Sequence, residues 1–482
     1  MDLLSVVIPS RNEPYLKKTI EDLLIKATGE IEVIAVLEAY WPPVEDIIDD
    51  HRVKYLHNGQ PLGMRGAINR GVAIAKGRYI LKIDAHCMFS KGFDEVLRKE
   101  HQPFWVQIPR RYALDPVKWE IEENPKYPVD YMYLSSDLHG EIWHEKNKDP
   151  RLQSVLIDDL MSAQGSCWFM EKSYYETLGL LDEESYGTFY NEFQEIGLKT
   201  WLYQGKVKVN KKCWYAHWHK PTSVGRGYSL DKGEKEKGVE QTSKWLTNDA
   251  WKIQQRQPLS YLIKKFWPVP TWDKSYVDNY EYDYELMFWR KWLGNKGRGA
   301  KKLSNPQLVS YFKELIGDKK KVSILDVGGG AIPMYGWTYP GVEVDMHLSD
   351  LLADGYPKIL KEVGLDSPIV CEKQDMTKMT YPDESFDIVH CRNAWDHSSN
   401  PYEALKEMIR VCKKGGWVYL WHYARVAKTH GTGMHNTDID IKDGRCIIKH
   451  ESKTFFIDEV DPRFKVSTVE GKHQIIICKL QK

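Results

Sequence analysis

Several things are scarce in this 482-residue chain, and each scarcity removes a class of function. Its 68 basic side chains are cancelled by 68 acidic ones, which leaves no global field to draw in nucleic acid or an anionic membrane. The 8 cysteines contain no Cys-x-x-Cys pair and no regular spacing. Neither a zinc ribbon nor a disulfide framework is therefore expected, and a reducing compartment fits. No apolar run approaches the roughly 18 residues that a membrane span needs. The opening Met1-Asp2-Leu3-Leu4-Ser5 lacks the basic and apolar regions of a secretory leader. There are no internal repeats or low-complexity tracts. What remains is a globular composition, 42% hydrophobic and 28% charged, in a chain too long for one ordinary core. Two domains and a connection are the natural expectation.

The first half alternates strand and helix. Leu3 to Ile8 reads as a strand stopped by Pro9, and Ser10-Arg11-Asn12-Glu13 as a polar loop. Pro14 opens a helix that carries Leu16, Ile20, Leu23 and Leu24 on one face. A second strand runs from Glu32 to Leu37 and ends at Glu38, which makes a βαβ unit and a parallel sheet. A third strand at Val53 to Leu56 and a small-residue helix from Gly63 to Ala75 lead to Tyr79-Ile80-Leu81-Lys82-Ile83 and then Asp84-Ala85-His86. That places a carboxylate and an imidazole at the carboxyl edge of the sheet, where open α/β folds bind ligands. Such a pair suits a divalent cation that also grips a diphosphate.

The runs Ser5 to Glu13, Gly63 to Gly71 and Ala75 to Asp84 resemble the nucleotide-sugar half of family 2 glycosyltransferases with the GT-A fold. Most of those enzymes carry Asp-x-Asp. Asp84-Ala85-His86-Cys87 is similar instead to the Asp-x-His-Cys of the mucin-type polypeptide N-acetylgalactosaminyltransferases. Gln164 to Phe169, Tyr174 to Gly179 and Tyr186 to His217 resemble the acceptor-side half of the same fold. The resemblance implies Mn²⁺ or Mg²⁺ on Asp84, His86 and His217, with His219 a nearby competitor. It implies a UDP-sugar pocket lined by Pro9, Arg11, Glu13 and Glu38, with Arg65 as a fixed positive donor to the diphosphate. Glu192 and Glu195 are the candidates to orient or deprotonate an acceptor hydroxyl, and helix-surface charge is the competing reading. The stretch from Pro103 to Leu156, rich in aromatics, proline and acids, fits neither template. It is read as an insertion that covers the site and recognises the acceptor.

Residues 1–224 are thus expected as a GT-A domain, 225–302 as a helical connector and 303–482 as a second domain. In that second domain Lys321 to Val327 is a strand leading into Gly328-Gly329-Gly330, which resembles motif I of class I S-adenosylmethionine-dependent methyltransferases. The resemblance implies a Rossmann-like fold with cofactor contacts at Asp326, Gly328 and Gly330. Asp350 is expected on the ribose, with Asp345 as rival, Asp375 on the adenine and Asn393 near the methionine end. Asp396 and His397 are candidates for a base that takes the acceptor's proton, and a helix cap is the competing reading of Asp396.

The expectation is an α/β bifunctional enzyme of the cytoplasm, in a bacterial or virus-infected cell, with no membrane span. It would transfer a sugar from a UDP-sugar to a glycan acceptor and methylate the same or a related product with S-adenosylmethionine. A nucleic-acid acceptor, the bases of viral DNA, is the second enzymatic reading, and the balanced charge weighs against it. A glycan-binding scaffold of decayed domains is the non-enzymatic one. The joint presence of Asp84, His86, His217 and the Asp326 to Gly330 turn weighs against that.

Overall fold

A computed structural model describes the chain except residues 1, 124–127, 222–227, 231, 252–253, 428–433 and 472 and the side chain of Lys296. It divides into two compact units, Met1–Val277 and Asp278–Lys482. The boundary expected at 224/225 lies outside the described residues. The stretch read as a connector is shared between the units. Its helix Leu259–Phe266 buries Leu262 and Ile263 in the first unit's core, and its helix Tyr280–Gly294 packs Leu293 in the second.

The first unit is built on strands β1 (Leu4–Ser10), β2 (Ile31–Glu38), β3 (Val53–Asn58), β4 (Tyr79–Ile83), β5 (Cys87–Phe89), β6 (Trp105–Asp115), β7 (Glu120–Ile121), β8 (Met132–Leu134), β9 (Gly140–Ile142), β10 (Ile157–Asp159), β11 (Cys167–Glu171) and β12 (Lys206–His217). One sheet runs β10-β12-β6-β11-β4-β1-β2-β3, with β5 on β12 and β7 on β6. The four strands β3-β2-β1-β4 are parallel, and every residue of β2 and β4 is buried. Parallel strands covered on both faces read as continuous apolar runs. Each buried Val, Leu or Ile contributes about 1.5–3 kcal/mol. This is the α/β architecture expected of a GT-A domain.

Two expectations change. Pro9 does not stop the first strand but pairs with Val36 inside it. Pairing of β1 with β4 ends at Val7–Lys82, so beyond that point a missing N–H breaks no ladder on that side. The stretch 103–156 is also not simply an insertion. Its first part is β6, which pairs along most of its length with β12 inside the sheet. Only the remainder, including the β8–β9 hairpin, forms an added wall.

The second unit contains β13 (Lys321–Val327), β14 (Glu343–Asp350), β15 (Cys371–Lys373), β16 (Phe386–Arg392), β17 (Cys412–Tyr423), β18 (Thr437–Lys442), β19 (Arg445–His450), β20 (Lys453–Phe456), β21 (Lys465–Val469) and β22 (Ile475–Gln481). The main sheet runs β15-β14-β13-β16-β17-β22-β21, and β18 to β20 form a separate small sheet. Its first five strands follow the 3-2-1-4-5 order of a Rossmann-type sheet. The pair β22 and β21 closes the edge antiparallel. Strand order reverses between β13 and β16, and ligands of such sheets bind at that switch point.

Candidate functional site

In the first unit the switch point lies between β1 and β4. Val7 is level with Lys82, so Asp84 leaves the sheet beside Pro9. Strand β5 then pairs antiparallel with the end of β12, His217 against Cys87, and the Trp218 N–H donates to the His86 carbonyl at 3.2 Å. This short pairing brings together side chains 133 residues apart. His217 Nε2 lies 3.1 Å from Asp84 Oδ2, and the His86 and His217 rings are 4.9 Å apart. One ligand atom from each of Asp84, His86 and His217 lies within 4.8 Å of the others. His219 instead stands edge-on against His217 at 4.7 Å.

Electrostatics keep this set ready for a cation. Burial pushes the Asp84 carboxyl up, but the Lys82 ammonium and His217 beside it hold it well below the usual carboxylate range. Burial lowers His217 to about 3, which leaves a neutral imidazole. His217 Nδ1 is buried with no partner among the described residues. A carboxylate and two imidazoles, one of them with an orphaned ring nitrogen, fit a divalent ion.

The three residues open onto a cavity of about 1290 Å³ that Pro9, Arg11, Glu13, Glu38 and Glu192 also line. Glu13 accepts from Lys220 at 2.5 Å and lies 3.1 Å from His86 Nδ1. The Arg11 guanidinium sits 4.2 Å over the Tyr228 ring. Glu38 accepts from the Leu62 and Gly63 N–H groups at 2.6 and 2.9 Å, at the start of the helix Gly63–Ile74. From the added wall, Met132, Gly140 and Ile142 reach the cavity.

Arg65 and Glu195 do not. Both side chains are fully buried and pair with each other beneath the site. Arg65, expected on the diphosphate, donates inward to the Tyr190 carbonyl at 2.7 Å and lies 4.6 Å from the Tyr186 ring. Glu195 also takes Lys199 at 2.7 Å. Three residues earlier on the same helix, Glu192 does line the cavity, and burial pushes its carboxyl up. Its Oε1 accepts from Trp168 Nε1 at 2.8 Å.

Lys82 is the residue that sequence reasoning missed. Its buried ammonium donates to Asp84 Oδ1 at 2.8 Å, the Gly165 carbonyl at 2.8 Å and Glu192 Oε2 at 3.2 Å. A lysine two residues before Asp84 in an apolar strand shares its face, and that alternation was the available signal.

In the second unit Asp326 is the penultimate residue of β13, Asp350 ends β14 and Asn393 follows β16. Asp326 Oδ1 lies 2.7 Å from His390 Nδ1. Its Oδ2 and the Asn393 Oδ1 are buried without partners among the described residues, which suits donors from a bound cofactor. Asn393 holds φ +53°, an unusual backbone for a residue with a side chain. Asp350 accepts from the Gly330 and Leu352 N–H groups at 3.2 and 2.9 Å, and burial raises its carboxyl. The rival Asp345 is exposed near the start of β14, away from this edge. Asp375 is exposed, and its Oδ1 accepts from the Thr377 N–H at 2.8 Å. Asp396 is fully buried. His422 Nε2 lies 2.9 Å from its Oδ1 and His435 Nδ1 2.6 Å from its Oδ2, so both of its oxygens face imidazoles.

The turn Gly328 to Gly330 makes one sharp prediction. Gly330 has φ +76°, and a Cβ there would sit 2.1 Å from Trp289 Cζ2. Gly330→Ala is expected to cost more than about 1 kcal/mol and to weaken S-adenosylmethionine binding. Denaturant unfolding and calorimetry on the full chain check both.

Residues 5–179 match the family profile described as glycosyl transferase family 2, and residues 327–420 that described as a methyltransferase domain. The chain is similar to polypeptide N-acetylgalactosaminyltransferase 5 of Caenorhabditis elegans, 25% identical over 221 residues, which are 42% of this chain and 35% of that protein. It is similar to the ubiquinone/menaquinone biosynthesis C-methyltransferase UbiE of Bdellovibrio bacteriovorus, 39% identical over 128 residues, 27% of this chain and 54% of that one. A solved structure of GalNAc-T7 with UDP, GalNAc and Mn²⁺ is 18% identical, covers 58% of this chain and 54% of its own, and has a TM-score of 0.42. The matched regions span about a third to a half of the curated relatives' length. Among the described residues no helix is long and apolar enough to cross a membrane. The chain thus joins an α/β domain that matches glycosyl transferase family 2 to a Rossmann-like domain that matches a methyltransferase family.

Proposed function

We propose that the chain is a bifunctional transferase, in which the first unit moves a sugar from a UDP-sugar to an acceptor and the second methylates the same or a related product, a glycan. One observation carries the reading. Asp84, His86 and His217, drawn from distant segments, meet in the wall of a large cavity that also presents the expected nucleotide-side residues Pro9, Arg11, Glu13 and Glu38.

In this reading Asp84, His86 and His217 hold Mn²⁺ or Mg²⁺, whose charge would offset that of the departing diphosphate. Lys82 keeps Asp84 ionised and fixes its rotamer through Oδ1, leaving Oδ2 on the cavity side. Arg11 and Glu13 orient the nucleotide. Glu192, with its raised carboxyl, orients an acceptor or sugar hydroxyl beside Asp84, with which it shares the Lys82 ammonium. Arg65 and Glu195 act through the fold, by anchoring the helix that carries Glu192.

In the second unit Asp326, Gly328, Gly330, Asp350, Asp375 and Asn393 would hold S-adenosylmethionine, which supplies an activated methyl group when bound. Asp326 and Asn393 offer their unpartnered oxygens to it, and Asp350 and Asp375 offer carboxylates at neighbouring strand ends.

Calorimetry of the full chain with UDP plus Mn²⁺, and separately with S-adenosylmethionine, is expected to show two independent sites. Incubation with a panel of UDP-sugars and acceptor glycans, followed by mass spectrometry, is then expected to show a sugar adduct that gains a methyl group only with S-adenosylmethionine. Failure of both titrations would leave the scaffold reading, and modification of DNA alone the nucleic-acid one.

A further inference from the structure

We propose that Asp396, His397 and His435 form a second divalent-cation site, within the methyltransferase unit. The binding itself does not depend on the methyltransferase reading, which is used only for its consequence.

The cluster is assembled from three segments. Asp396 and His397 lie in the short turn Trp395–His397 that follows β16, His435 lies just before β18, and His422 comes from β17. The Asn436 N–H donates to the Asp396 carbonyl at 3.2 Å, which ties the first two segments together. Asp396 Oδ2 lies 2.6 Å from His435 Nδ1, and His435 Nδ1 lies 2.9 Å from His397 Nε2. One ligand atom from each of the three residues lies within 4.8 Å of the others.

Proton accounting makes this arrangement unusual. His435 Nδ1 carries at most one proton, and both of its close neighbours are acceptors whenever His397 presents a bare Nε2. If that proton is instead on His397 Nε2, the lone pair of His435 Nδ1 faces the Asp396 carboxylate at 2.6 Å. Three lone pairs therefore converge with one proton to share. A divalent cation satisfies all three, and bonds of about 2.0–2.2 Å place neighbouring ligand atoms roughly 3 Å apart.

The surroundings resemble a built site. His422 Nε2 holds Asp396 Oδ1 at 2.9 Å, so the carboxylate is oriented from behind, with Oδ2 turned to His435 and Oδ1 3.7 Å from His397 Nε2. Asp396 is fully buried, while His397 and His435 are partly open, which gives the cluster a solvent side. Glu285 accepts from the Met434 N–H at 3.4 Å and adds negative charge next to His435. Two imidazoles and one carboxylate favour a first-row transition ion such as Zn²⁺, Mn²⁺, Fe²⁺ or Co²⁺ over Ca²⁺. The cluster lies three residues beyond Asn393, at the carboxyl edge of β16. A cation there would take an acceptor hydroxyl as a further ligand and hold it on the cofactor side of the sheet.

The test uses the full chain carrying Asp84→Ala and His217→Ala, so that the glycosyltransferase set no longer contributes. Equilibrium dialysis with Co²⁺ is expected to find one ion per chain, with visible absorption and two hyperfine-shifted imidazole N–H proton resonances. In that background His397→Gln and His435→Gln are each expected to weaken Co²⁺ at least tenfold, and His422→Ala to weaken it about 10–100-fold. Melting curves identify any variant that has lost its fold, and the shifted resonances of the background chain answer without substitution in the cluster. No bound Co²⁺, or a Co²⁺ spectrum without imidazole resonances, would overturn the proposal. S-adenosylmethionine calorimetry on the same chain reports separately on the methyltransferase reading, so the two can fail independently.

Discussion

Asp84→Asn is expected to lower kcat/KM for sugar transfer about a thousandfold and to abolish the Mn²⁺ dependence of UDP binding. The substitution keeps the shape of the side chain and removes its charge. In the native protein that charge is secured against burial by Lys82 and His217. A group whose carboxyl is held down in the fold contributes stability above the ordinary carboxylate range and loses it as pH falls toward the lowered value. Asp84 therefore stays ionised at every working pH. In the variant the Lys82 ammonium keeps Glu192 and the Gly165 carbonyl as partners, so the strand holds and the loss falls on the cation. UDP calorimetry with and without Mn²⁺, and release of UDP from a UDP-sugar, read the two effects. Retention of both activity and Mn²⁺ dependence would remove Asp84 from the site.

Arg65→Ala is expected to have the largest effect on stability, a loss of about 3–5 kcal/mol in denaturant unfolding of the first unit. Arg65 and Glu195 are both fully buried, and the guanidinium also serves the Tyr190 carbonyl and the face of Tyr186. Removing the cation strands Glu195 in the core with only Lys199 and the Asp182 N–H as donors. Replacing the three buried charges together, Arg65→Met, Glu195→Leu and Lys199→Met, is expected to recover most of the loss, because no charge is then left unpaired. The result also separates two roles. A chain that keeps its stability with alanine at 65 but loses UDP binding would mean that Arg65 reaches the diphosphate.

Local signals were enough for much of this protein. Apolar runs broken by polar loops marked β1 to β4 and β13, and the acid–histidine pair after β4 marked one end of the proposed metal set. Other elements left weak local traces. Strand β6 was hidden because Pro109, Arg110 and Arg111 interrupt its apolar pattern, yet Arg110 finds Asp130 at 2.7 Å and Arg111 pairs with Gln164. Lys82 was passed over as one charge in an apolar strand, although its alternation with Asp84 was there to be read.

By itself, the sequence determined the two α/β halves, their order along the chain, and the residue types Asp84, His86 and Asp326 to Gly330 at strand ends. Tertiary structure alone decided which partners those residues meet. Pairing of β5 with the end of β12 selects His217 over His219 beside Asp84 and His86. The rotation of the helix Glu192–Leu202 turns Glu192 to the cavity and Glu195 to Arg65, though both lie in its first turn. The bond from the Asn436 N–H to the Asp396 carbonyl brings His435 to Asp396 and His397. The physical reason is the same in each case. Periodicity is a property of neighbours along the chain, whereas the partner of a buried charge is set by strand register and by the cost of leaving it unpaired, and both involve residues far apart in sequence.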